Sequence, residues 1–284
     1  MLGRRALAGA AGECGPGGGR RGAGPVTGQA HRDPFFHGDG ITLRFGGLTA
    51  LSGVGFHVRR NSLQAIIGPN GAGKTSLFNV ITGIYRMDDG EVHLEGKRIS
   101  GLPPHGVARH GIVRTFQNLE IFTNMTVLEN VLTGGHLLVK YGLADFFFRT
   151  PRFFREERDL RERAVTALDF VGLSSHRNLP AGQLPFGSQR LLEIARALSA
   201  EPRILLLDEP AAGLNMKETT ALGDLIRRIV ERGITVVMVE HDMDLVMRIS
   251  ERILVLNYGE VIASGTPAEI QRDPAVVAAY LGEE

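Results

Sequence analysis

Leu63-Gln64-Ala65-Ile66-Ile67-Gly68-Pro69-Asn70-Gly71-Ala72-Gly73-Lys74-Thr75-Ser76 passes from an apolar run suited to a buried strand, through a glycine-rich turn, into a helix-like stretch that continues to Ile84. Its centre, Gly68 to Thr75, matches G-x-x-x-x-G-K-[ST] without a gap. The glycines let successive N–H groups turn inward around phosphate oxygens, and the helix behind them points its positive end at the same charge. Lys74 is placed to reach β and γ phosphates, and Thr75 to offer its hydroxyl to Mg²⁺. Pro69, Asn70, Gly71, Ala72, Gly73 and Ser76 complete the cradle. The plain alternative is a glycine-rich turn with an exposed lysine; a strand before and a helix after argue against it.

A second apolar run, Ile204 to Leu207, delivers Asp208 and Glu209 at its carboxyl end, where open α/β sheets place their ligands. Asp208 is suited to hold Mg²⁺. Glu209, expected to point the other way because strand side chains alternate, is suited to polarise a water in line with a γ-phosphate. Two carboxylates after a strand are often only a solvated turn; the phosphate loop upstream shifts the balance. Ile234 to Val239 is another buried run, and a helical pattern from Met216 to Arg232 separates it from the last. Buried strands alternating with helices imply a parallel sheet covered on both faces. Shorter alternating runs at Ile41 to Phe45 and Val54 to Val58 read as strands of a half-exposed sheet.

Between Thr126 and Ser199 the pattern is helical, over Val127 to Val131, Arg158 to Val171 and Ser188 to Ala200. This predicts a helical lobe, residues 118–185, inserted in the α/β core. Within it Phe146, Phe147, Phe148, Phe153 and Phe154 are interleaved with Arg149, Arg152 and Arg155. A buried aromatic cluster is the leading expectation, because most phenylalanines fill cores. An exposed patch contacting a partner protein is the other.

The 284 residues carry 32 Lys plus Arg against 31 Asp plus Glu, a net charge of +1 that excludes a non-specific nucleic-acid binder. At 43% hydrophobic and 22% charged, the chain as a whole is globular. Its single cysteine, Cys14, excludes an internal disulfide and a multi-cysteine zinc site. No run of the sequence has the length and apolarity of a membrane-spanning helix. Residues 1–37 form a Gly/Arg-rich segment without apolar periodicity, expected to be disordered, leaving 38–284 as one domain. The apolar stretch Ala6 to Ala11 is too short for a secretion signal, and Glu13 beside Cys14 argues against lipid attachment.

With these elements in place the chain, from Ile41 onward, resembles the ATP-binding cassette ATPases. Leu184-Pro185-Phe186-Gly187-Ser188 looks like the motif with which that family caps ATP held by a second subunit, with Pro185 where the family has a serine. The resemblance implies a phosphate-loop NTPase core with a mostly parallel sheet, an antiparallel β subdomain and the inserted lobe. It implies ATP and Mg²⁺ as ligands. Gln117 matches the family's glutamine that senses Mg²⁺ or the attacking water, His241 the histidine that contacts the γ-phosphate, and Phe45 the aromatic that stacks on adenine. Gly187 and Ser188 match the cap over the facing subunit's nucleotide, and Ala211 to Asn215 the loop through which two subunits touch.

One phosphate loop and one acidic strand mean one cassette. Among such proteins the likeness is greatest to ATP-binding subunits of branched-chain amino-acid importers. It is carried by Arg44-Phe45-Gly46-Gly47, the insertion around Tyr141 to Arg163, Leu191 to Arg196, Asp208 to Asn215, Glu240-His241-Asp242-Met243 and Ala279-Tyr280-Leu281-Gly282. Urea-importer and lipopolysaccharide-export ATPases, and a regulatory ATPase without a transport role, are the alternatives. The likeness implies a peripheral protein at the cytoplasmic face of the membrane. Its implied partners are two transmembrane permeases, a second ATPase subunit, identical or homologous, arranged head to tail, and indirectly an external solute-binding protein.

Overall fold

The structure, a computed structural model, describes residues 35–115 and 119–281. Strands β1 (Phe36–Phe45) and β2 (Leu48–Val58) pair antiparallel, Phe36 opposite Val58 and Phe45 opposite Leu48. Phe36 and His37 therefore open the first strand rather than end the tail assigned to residues 1–37. The alternation there is masked by Gly38, which reads as a breaker. In the sheet a Cβ on Gly38 would lie 2.5 Å from Phe56 Cε1, so the glycine makes room for a ring crossing the strand. The expectation for residues 1–34 lies outside the described residues.

β3 (Leu63–Ile67) leads through the phosphate loop into α1 (Lys74–Ile81). This helix ends before Ile84 because Gly83, at φ 73°, turns where an added Cβ would be 2.3 Å from Leu102 O. β4 (Asp89–Leu94) and β5 (Lys97–Arg98) complete a four-stranded antiparallel sheet, β2-β1-β4-β5. After α2 (Pro104–Arg109) and β6 (Ile112–Arg114) comes the helical lobe: α3 (Val127–Gly135), α4 (Leu143–Phe148), α5 (Pro151–Val171) and α6 (Phe186–Leu198). Then follow β7 (Ile204–Asp208), α7 (Met216–Glu231), β8 (Thr235–Val239), α8 (Met243–Ile249), β9 (Arg252–Asn257), β10 (Glu260–Gly265), α9 (Pro267–Ile270) and α10 (Pro274–Leu281). The larger sheet has the order β10-β9-β3-β8-β7-β6. All its pairs are parallel except β9 with β10. This is the mostly parallel core with an antiparallel subdomain that the family resemblance implies.

Side-chain alternation divides the interior in two. Leu205 and Leu207 of β7, with Ala65 and Ile67 of β3, pack toward the lobe, α7 and α8. Ile204, Leu206 and Ile66 pack toward α1 and the antiparallel sheet. In the lobe, Gly134 and Gly135 let α3 close on its neighbours: added Cβ atoms would lie 2.0 Å from Arg196 O in α6 and 2.3 Å from Leu160 Cδ1 in α5.

Two expectations about the lobe are corrected. α5 starts at Pro151, not Arg158, because Thr150 accepts from Phe153 N as N-cap and proline occupies the first turn. The phenylalanines do not form a buried cluster: Phe146, Phe147, Phe148 and Phe154 are exposed, Phe147 and Phe148 at 75% and 82%. Three consecutive helical residues point about 100° apart, so they cannot share one inward face. Of the three, Phe146 turns toward Phe153, edge-on at 5.8 Å, and Phe153 in turn meets Phe154 at 5.4 Å and Tyr141 at 5.0 Å.

Candidate nucleotide site

The phosphate loop lies at the carboxyl end of β3. Gly68, Gly71 and Gly73 have φ of 150°, 75° and 102°, conformations that L-residues rarely hold. Two of them also lack room for a side chain: a Cβ on Gly68 would sit 2.0 Å from Leu256 O, and one on Gly73 2.9 Å from Ala50 O. The Lys74 ammonium is buried and donates to Gly68 O (2.6 Å) and Pro69 O (2.8 Å), curling the loop around its own cation. Thr75 is exposed beside it. No acidic residue lies in the first turn of α1, so its N–H groups face outward without a competing anion.

Asp208, 1% exposed, ends β7 on the α1 side of the sheet. Arg114 Nη2 donates to its Oδ2 at 2.6 Å, while Arg114 Nη1 donates to Asn79 Oδ1 at 2.7 Å, tying β6, β7 and α1 together. The other oxygen, Asp208 Oδ1, is buried without a hydrogen-bond partner among the described residues. Such an open acceptor fits a hard divalent cation that takes the rest of its shell from water and phosphate. Among the described residues there is no cluster of three or more His, Cys, Asp or Glu that would hold a metal by protein ligands alone.

Glu209 is not the next alternating strand residue. It lies beyond β7 with φ 47°, left-handed, which costs a non-glycine residue about 1–2 kcal/mol. Its N–H donates to Val239 O at 2.9 Å, and this turn swings the carboxylate to His241. His241 Nε2 and Glu209 Oε1 are 3.0 Å apart. An ionised carboxylate only accepts, so Nε2 is the donor in this contact. Glu240, 3% exposed, lies just before the histidine and accepts from Ala211 N (2.7 Å), His241 N (2.9 Å) and Asp242 N (3.3 Å). One carboxylate therefore braces the loop after β7 against the loop after β8.

Phe45, half exposed at the end of β1, meets Tyr85 edge-on at 5.3 Å. Pro185 precedes α6 without a side-chain cap, leaving the first-turn N–H groups, Gly187 and Ser188 included, directed outward. A Cβ on Gly187 would lie 2.6 Å from Glu218 Oε1, and one on Gly213 2.8 Å from Phe186 Cε1. The Gly187 segment thus packs on the Ala211 to Asn215 loop of its own chain. Gln117 lies outside the described residues.

Residues 51–212 match the family model described as ABC transporter. The high-affinity branched-chain amino acid transport ATP-binding protein BraF of Pseudomonas aeruginosa is 48% identical over 251 residues, 88% of this chain and 98% of the relative. The chain belongs to the ABC transporter family. Residues 260–284 of this cassette match a second model, described as branched-chain amino acid ATP-binding cassette transporter. The protein named LivG in Escherichia coli K12, also described as a high-affinity branched-chain amino acid transport ATP-binding protein, is 45% identical, with the same coverage. Among solved structures, a nucleotide-free ATP-binding cassette from an ABC transporter superposes with a TM-score of 0.77 at 34% identity, covering 88% of this chain and 99% of that one. The dimeric structure of a bacterial ABC transporter cassette superposes at 0.68 with 27% identity, covering 82% and 98%.

Arg114 and Tyr85 of the cassette are not singled out by the sequence, and Glu240 enters there only within the Glu240 to Met243 likeness, without a role. Arg114 breaks an otherwise apolar strand and Glu240 abuts His241, and those were the available signals. Burial pushes the Glu240 carboxyl above its ordinary value of 4.5, against the lowering effect of its three backbone donors; the nearby Asp242 adds to the rise. A carboxyl raised by folding contributes stability fully below its ordinary value and loses it as pH climbs through the raised one. Thermal melts across that range are expected to show Glu240→Gln gaining on the wild type as pH rises, since every other carboxyl is common to both. A pH-independent difference would contradict this reading.

Proposed function

We propose that this chain is the ATP-hydrolysing, nucleotide-binding subunit of an importer for branched-chain amino acids, working at the cytoplasmic face of the membrane beside two permeases and a second cassette. The observation that carries the chemistry is the 3.0 Å contact of Glu209 with His241, just beyond the carboxyl ends of β7 and β8 and next in sequence to Asp208. The match of the last 25 residues and the relatives' names support the solute class.

In this reading the phosphate-loop N–H groups and Lys74 bind the triphosphate, with Gly68 to Ser76 around it and Phe45 against the adenine. Asp208, held at one oxygen by Arg114, would hold magnesium through its other oxygen, together with the Thr75 hydroxyl and Gln117, and the ion would supply neutralising charge to the triphosphate. Glu209 accepts the proton of the attacking water, and His241 orients that carboxylate and meets the γ-phosphate. Gly187 and Ser188 of the facing subunit, at a helix N-terminus, close the site from the other side. Positioning and charge stabilisation suffice for this transfer. Closure on ATP and reopening after hydrolysis move the docked permeases.

Uptake of leucine, isoleucine, valine and urea in a strain lacking this chain tests the assignment. The three amino acids are expected to lose high-affinity uptake while urea is unaffected. Equal uptake of all four with and without the chain would discard it.

A further inference from the structure

The segment from Tyr141 to Asp159 is sorted by charge. Arg149, Arg152, Arg155 and Arg158 are all exposed, whereas Asp145, Glu156, Glu157 and Asp159 are each partly buried. The acids are engaged within the segment: Asp145 accepts from Gly142 N and Thr150 Oγ1, Glu156 from Lys140 N, Tyr141 N and Arg152 Nε, and Glu157 from the Tyr141 hydroxyl, while Arg152 also donates to Lys140 O. Backbone N–H groups, helped by the Thr150 hydroxyl at Asp145 and by Arg152 at Glu156, hold both carboxyls below the ordinary carboxylate range. Outward stand Leu143, Phe146, Phe147, Phe148 and Phe154. α4 has no buried residue, and between it and α5 lies only a shallow hollow of about 300 Å³ lined by Phe146, Phe147, Arg149, Phe153 and Phe154.

We propose that this knob is a docking surface for an anionic lipid bilayer, its phenyl rings entering the headgroup boundary while Arg149 and Arg155 meet lipid phosphates. Aromatic side chains with a collar of cations and acids engaged within the segment are what such an interface selects. A protein partner would need matching pockets for Phe147 and Phe148, which leave the helix on different flanks; a fluid surface needs none. The inference concerns a face apart from the nucleotide site and does not depend on which solute is carried.

The sequence contains no tryptophan, so Phe147→Trp installs a single local fluorophore at a position three-quarters exposed. With the full chain, its emission is expected to shift to shorter wavelength on adding phosphatidylcholine vesicles containing phosphatidylglycerol, and not with phosphatidylcholine alone. Tyr258→Trp, still more exposed on the β9–β10 turn, is expected not to shift. This local readout separates the knob from the arginines of residues 1–34, which attract anionic vesicles by themselves. Neutralising Arg149 and Arg155 to Gln in the Phe147→Trp background is expected to weaken the response roughly 30-fold. The proposal is overturned by an unshifted Phe147→Trp spectrum with anionic vesicles. A shift that grows with protein concentration without lipid would overturn it in favour of self-association. Binding of the wild type to purified permeases that Phe147→Ser abolishes, with no response to vesicles, would overturn it in favour of a protein partner.

Discussion

Glu209→Gln is expected to bind ATP with near-normal affinity and to hydrolyse it about 10²- to 10⁴-fold more slowly, the range spanned by loss of a general base. The replacement keeps the shape of the side chain and retains an acceptor for His241 Nε2, so the 3.0 Å contact can persist while the proton acceptor is gone. Left-handed backbone at this position is set by the Glu209 N to Val239 O bond, which the substitution does not touch. The measurement is single-turnover hydrolysis alongside equilibrium binding of ATP. Near-normal turnover would remove Glu209 as the base; lost binding would show that its carboxylate supports the loop instead.

Lys74→Ala is expected to act one step earlier, weakening nucleotide binding itself by about 10- to 150-fold, the equivalent of one charge-assisted hydrogen bond at 1.5–3 kcal/mol. In the present state the ammonium bonds to Gly68 O and Pro69 O, within the loop that follows β3. A nucleotide therefore competes for a cation already in place, and the variant loses both the loop's internal tie and the phosphate contact. Titration with a fluorescent ATP analogue, with the melting temperature of the nucleotide-free protein measured in parallel, separates the two losses. An unchanged affinity would contradict the assignment of Lys74 to the phosphates.

The geometry of the candidate site is legible in the sequence wherever its chemistry is local. Gly68 to Thr75 announces itself because every residue in the loop obeys a short-range demand for backbone space or charge, and the carboxyl ends of β7 and β8 place Asp208 and His241 by topology alone. Contacts across sequence were not legible. Arg114 reaches Asp208 over 94 residues and Glu240 reaches Ala211 over 29, and no spacing rule encodes either. Glu209 was singled out for its position but expected to project by strand alternation, whereas a left-handed turn carries it to His241. Phe146 to Phe154 misled because composition speaks for burial, while three consecutive rings on a six-residue helix cannot all turn inward. The start of β1 was hidden by Gly38, a residue whose usual meaning in a strand is interruption.

The six-stranded sheet is also a partition wall. Stepping a single residue along β7, from Leu205 to Leu206, moves a side chain from the compartment of the lobe to that of the phosphate loop's helix. Neighbouring positions in one strand thus report to opposite halves of the molecule. Damage to the half that packs on the phosphate loop's helix and damage to the half that carries the lobe are separable, although their causes sit side by side in the gene.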